Sequence, residues 1–140
     1  PSGPLLADRP AALVDIADPS IVWSAGGFGD CLVQVPDSPE LQVIDCSEPH
    51  DLQRFAEGEL DAAAFPPDAP RDADAVKFAV NEACDAAFPS FVGSSVAETQ
   101  LQRPTTIPSD ATWATGDRAY RCYVGVAGKR LVGDARTSGW

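Results

Sequence analysis

The 140-residue chain has an apolar fraction of 44% and a charged fraction of 22%, which suits one globular domain and excludes wholesale disorder or a collagen-like fibre. Its 21 acidic residues against 10 basic ones give a net charge of −11, a surface that repels phosphate backbones and anionic headgroups, so nucleic-acid and membrane-surface binding are disfavoured. The longest charge-free stretches, 19–29 and 86–97, contain Pro, Ser and Gly and fall well short of the roughly 20 apolar residues of a membrane-crossing helix.

Residues 1–20 are Pro- and Ala-rich and are expected to be a linker or N-terminal extension ahead of a single domain over 21–140. With no Met at position 1, the chain reads as a processed product or an excerpt. Residues 10–17 suit one helical turn or an edge segment before Asp18-Pro19, and Ile21 to Trp23 is β-prone. Cys31 to Val35 and Leu41 to Asp45 alternate and are β-branched-rich, and the Pro36-to-Glu40 stretch between them turns the chain, predicting a hairpin. Pro49 places a bend after Cys46. Residues 50–60 are ambiguous: propensity leans helical from Asp51 to Glu57, and the apolar spacing does not decide.

After a Pro-rich loop over 61–70, Val76, Ala79, Val80, Ala83, Cys84 and Ala87 recur at helical spacing, predicting a helix over 72–88. Asp72 or Asp74 caps its start and Pro89 is expected to stop it. A short second helix follows over Phe91 to Leu101, with Ser94 or Ser95 as cap. Tyr120, Cys122, Val124 and Val126 share one face of a strand, Ala127 to Lys129 turns, and Arg130 to Val132 returns as a hairpin. The fold class is therefore α+β: an antiparallel sheet of four to five strands with the 72–88 helix packed on one face.

Four cysteines, Cys31, Cys46, Cys84 and Cys122, with no C-x-x-C pair, read first as two disulfides and hence as an oxidising compartment outside the cytoplasmic membrane. The expected pairing is Cys31–Cys122, early strand to late strand, and Cys46–Cys84, sheet to helix. The rival readings are free buried thiols and a zinc site of three cysteines with His50.

Chemistry-bearing patterns are sparse. His50 is the only imidazole, with Ser47 and Asp51 close by, but no G-x-S-x-G elbow is present, and packing at the bend competes with any catalytic role. Asp117 and Arg118 after Gly116 suit either a turn before a strand or a carboxylate- or sugar-binding guanidinium, and Trp113 either a stacking platform or packing. Neither phosphate-loop nor dinucleotide fingerprint occurs, and no cofactor is implied.

Gly29-Asp30-Cys31-Leu32 opening a strand, Val43 to Cys46 followed by Pro49-His50-Asp51, a mid-chain helix bearing Cys84, and Trp113 with Gly116-Asp117-Arg118 before Cys122 together resemble the septum-formation domain family. That family comprises extracytoplasmic domains of actinobacterial membrane-anchored proteins linked to cell division. The resemblance implies an outer-surface location, a tethering helix before residue 1, and strand-like structure after Pro49-His50, where Gln53-Arg54 interrupts the usual valine-rich pattern. It carries over no catalytic residues. The reading is a non-catalytic binding or scaffold domain serving septum or envelope assembly, its partner another envelope or division protein or a cell-wall component. The alternative is an envelope hydrolase using Asp or Glu carboxylates, with His50.

Overall fold

The computed structural model describes residues 3–10, 26–35 and 40–140. The expectations for 11–17 and 21–23, and for 36–39 of the turn, lie outside the described residues. In chain order the elements are β1 (Leu5–Asp8), β2 (Cys31–Gln34), β3 (Leu41–Ile44), β4 (Leu52–Glu59), α1 (Ala73–Val92), β5 (Thr105–Thr106), α2 (Asp110–Trp113), β6 (Ala119–Val124) and β7 (Lys129–Val132). Five strands form an antiparallel sheet in the order β3-β2-β4-β6-β5, with α1 packed on one face. This is the α+β architecture that the sequence predicted.

The predicted β2–β3 hairpin pairs from Cys31 opposite Ile44 to Gln34 opposite Leu41. The ambiguous stretch after His50 is strand. β4 bonds β2 on one side and β6 on the other, with a bulge between Arg54 and Ala56. Backbone pairing on both edges outweighs the weak helical propensity of seven residues. Both faces of the sheet are covered here, so Leu52, Gln53, Arg54 and Phe55 are all buried although Leu52 and Phe55 face opposite sides.

Helix α1 starts where expected: the Asp72 carboxylate accepts the backbone N–H groups of Asp74 and Ala75. It does not stop at Pro89. It runs to Val92 and ends on Gly93, whose φ of +90° is the left-handed cap and whose N–H bonds the Pro89 carbonyl at 2.9 Å. A proline in the last turn forfeits one N–H, and continuing buries Phe91 and Val92. The expected second helix over 91–101 is therefore absent: its first two residues belong to α1, and 96–98 form a turn.

The chain turns after β6, with Lys129 N–H bonding the Val126 carbonyl at 3.1 Å, but β7 does not return alongside β6. It leaves the sheet and pairs with β1, Leu5 opposite Val132 through Asp8 opposite Lys129. The stretch read as linker thus contributes a strand. His50 and Leu131 exchange backbone bonds of 2.9 and 2.8 Å, fastening this two-stranded ribbon to the end of β4.

Two disulfides are present, but the pairing is Cys31–Cys46 and Cys84–Cys122, not the one expected. Strand order is the reason. β4 lies between β2 and β6, so Cys31 and Cys122 sit two strand spacings apart, roughly 9–10 Å, beyond disulfide reach. Instead Cys46, just past the end of β3, meets Cys31 at the open end of the hairpin, with a Cα–Cα distance of 5.3 Å. Cys84, on the inner face of α1, meets Cys122 of β6 at 5.7 Å. Every described cysteine is bonded, which removes the free-thiol and zinc readings.

The core fills both faces. Phe55, Val76, Val80, Phe88, Val92, Val124 and the Cys84–Cys122 bond lie between helix and sheet, with Phe55 and Phe88 edge-on at 5.6 Å. Leu32, Leu41, Leu52 and Tyr123 pack on the other face.

Candidate functional site

The four residues nominated from sequence fall in two places, and each is occupied by the fold. His50 is fully buried. Its Nδ1 lies 2.8 Å from the Glu48 carbonyl, and its Nε2 has no hydrogen-bond partner among the described residues. Burial holds the imidazole below its ordinary pKa, against the Glu48 carbonyl and the charges of Asp51 and Asp134, which pull it up. Ser47 Oγ donates to Asp45 at 2.8 Å rather than to His50, so no nucleophile–base pair forms.

Trp113, Asp117 and Arg118 cluster at the start of β6. The Ser109–Thr112 capping box makes the single turn of α2 and delivers Trp113 to the core edge, where its indole N–H donates to the Ala69 carbonyl at 2.8 Å. The Arg118 guanidinium lies over the Trp113 ring at 3.4 Å. Its nitrogens donate to five carbonyls, those of Phe65, Pro66, Pro67, Trp113 and Asp117, at 2.8–3.4 Å. The Asp117 carboxylate accepts the Ala119 N–H at 2.9 Å. A guanidinium with its donors spent on carbonyls fastens the Pro-rich loop to the sheet and has no hydrogen left for a carboxylate or sugar.

Asp51 is the buried charge that sequence reasoning mentioned only beside His50. Its Oδ1 accepts Arg9 Nε at 2.8 Å and Arg130 Nε at 3.1 Å, and its Oδ2 accepts the Gln34 N–H at 2.7 Å. Arg9 also reaches the Gln34 side chain, and Arg130 donates to the Gln34 carbonyl at 2.7 Å. Arg9 follows β1 and Arg130 lies in β7, so the ribbon carries both cations onto one carboxylate. No local spacing announces this: the partners are 42 and 79 residues from Asp51.

Beside Asp51 lies a cavity of about 470 Å³. Leu52, Pro104 and Val126 supply apolar lining, and Arg9, Arg103 and Lys129 supply three cations. A backbone bridge between Gln102 and Gly125 holds one wall, and Gln102 Oε1 accepts the Ala127 N–H at 2.7 Å. Gly125 is required there, because a Cβ would stand 2.8 Å from the Asp51 carbonyl. Arg103 pairs with Asp85 at 2.9 Å and Lys129 with Asp8 at 2.7 Å. Among the described residues Asp51 is the only acid in the lining, and its oxygens are already filled. The arrangement offers a ligand apolar contact beside cations that already carry acid partners; among the described residues a carboxylate pair of the glycosidase kind is not assembled there.

A family model described as septum formation matches residues 28–138, from the approach to β2 through the tail after β7, with all four cysteines inside. The chain belongs to the septum-formation family. No curated protein and no solved structure matches it. Septum-formation membership supports a role in septum formation, and together with two disulfides it fits an extracellular location. No described helix is long and apolar enough to cross a membrane.

Proposed function

We propose that this septum-formation domain is a non-catalytic binding module acting outside the cytoplasmic membrane, held there by a segment outside this chain. It recognises another envelope or division protein, or a cell-wall component, through the cavity beside Asp51. The observation that carries this reading is the cavity's composition: apolar lining with three cations, and a single acid whose oxygens are spent on guanidinium and amide donors. That composition favours a ligand with an apolar body whose acceptor groups meet the hydrogens that Arg103 and Lys129 keep beyond their pairs with Asp85 and Asp8. It disfavours the alternative, a carboxylate hydrolase, which needs a second acid facing the first or a free base.

The test is a photo-crosslinking amino acid at Ala127, exposed at the cavity mouth, with the exposed Glu82 of α1 as control position. The expected result is a specific adduct with one envelope component from Ala127 only, lost when Arg103 and Lys129 are changed to Glu. Purified domain is expected to leave peptidoglycan and peptide substrates intact. Turnover of either by the purified domain overturns the reading in favour of the hydrolase.

A further inference from the structure

We propose a second recognition site, at the C-terminal end of α1, for a peptide segment of a partner protein that presents a carboxylate beside an aromatic or large aliphatic side chain. A groove of about 620 Å³ lies there, with Phe28, Phe55, Phe91 and Arg136 among its lining residues. It shares no residue with the cavity beside Asp51. The Phe28 and Phe91 rings meet edge-on at 5.5 Å, and the Arg136 guanidinium stands 5.1 Å from both ring centroids. Phe28 is 56% exposed.

Arg136 is held in place but not neutralised. Its guanidinium bonds no carboxylate or carbonyl among the described residues, in a chain where acids outnumber bases 21 to 10. The nearby acids, Asp134 and the groove-lining Glu57, have partners other than the Arg136 guanidinium. Asp134 accepts Gln53 Nε2 and the Arg136 backbone N–H at 2.8 Å each, and Glu57 pairs with Arg54 at 3.4 Å. The backbone is shaped around the guanidinium. A Cβ on Gly29 would stand 2.3 Å from Arg136 Nη2, so a glycine makes the room. Thr137 adopts a φ of +57°, rare for a β-branched residue, and its N–H bonds the Phe91 carbonyl at 2.7 Å, pinning the tail to the helix end.

A guanidinium fork stacked on aromatic rings, its hydrogens unspent, matches a planar carboxylate whose neighbour is apolar. The net charge of −11 turns away polyanions, so a single carboxylate is the complement and an anionic lipid surface is not.

The test titrates the isotope-labelled domain with three capped dipeptides: acetyl-Phe-Glu-amide, acetyl-Phe-Gln-amide and acetyl-Ala-Glu-amide. The first is expected to give saturable shifts of the Phe28, Phe91 and Thr137 amides and of the Arg136 Nε resonance. The other two are expected to bind at least several-fold more weakly. Arg136→Gln, an exposed change, is expected to bring the first peptide down to the level of the second, and Phe28→Ala to weaken both phenylalanine peptides. Equal binding of the first two peptides, retention of affinity in Arg136→Gln with its fold intact, or no saturable shift at these resonances would overturn the proposal. Any of these results leaves the Asp51 cavity reading standing.

Discussion

Removing each disulfide by a double Cys→Ala change separates two contributions that the structure makes unequal. Cys31 and Cys46 are 15 residues apart and Cys84 and Cys122 are 38 apart. In the loop-entropy description the first cross-link is worth about 3 kcal/mol and the second about 4 kcal/mol. Burial widens the gap. Cys84 and Cys122 are 1% and 0% exposed in the middle of the core, whereas in the other pair Cys31 is buried but Cys46 is half-buried at the rim of the hairpin. The Cys84/Cys122 double variant also loses packed sulfur between Val80, Phe88 and Val124, adding roughly 1 kcal/mol. Its total loss of about 5 kcal/mol is a large share of the 5–15 kcal/mol that holds a domain together. Guanidinium unfolding followed by far-ultraviolet circular dichroism measures both variants. The Cys84/Cys122 variant is expected to be the less stable by about 1–2 kcal/mol, or unfolded at 37 °C. Equal stability, or a larger loss from the Cys31/Cys46 pair, refutes the reasoning. A non-reduced peptide map checks the connectivity itself, since a Cys31–Cys122 peptide contradicts the strand order.

Three further outcomes follow from single side chains. Arg118→Ala is expected to cost about 2–4 kcal/mol, because it orphans carbonyls of the 65–67 loop and uncovers Trp113; Arg118→Lys recovers only part, and urea midpoints read both. Asp51→Ala leaves Arg9 and Arg130 without their shared carboxylate and is expected to cost about 3–5 kcal/mol, read by the same midpoints. His50 has a folded pKa held below its ordinary 6.5, so between the two values the unfolded chain binds more protons and acid favours unfolding. The stability it supports is intact above 6.5, falls as pH drops through that window, and levels off below the folded value. Comparing wild type with His50→Gln from neutral pH downward measures this, and an identical pH slope in both proteins refutes it.

Much of the framework was legible from neighbours in the chain. The β2–β3 hairpin, the α1 face carrying Val76, Val80 and Cys84, the Asp72 cap and the family assignment all rest on local spacing and local backbone chemistry. What local pattern did not decide was whichever feature depends on non-local partners. The strand at 52–59 exists because β2 and β6 flank it, and α1 passes Pro89 because Phe91 and Val92 find a core to fill. β7 joins β1 rather than β6, and the cysteines pair across whatever the strand order makes adjacent. The same division holds at the sites. His50, Trp113, Asp117 and Arg118 stood out as residue types, but only the tertiary arrangement shows them engaged by packing and by backbone carbonyl and N–H groups. Arg9, Arg130 and Arg136 carried no local mark. Charge pairing over dozens of residues is set by where the chain crosses itself in space, and a guanidinium's availability depends on which acids that crossing leaves occupied.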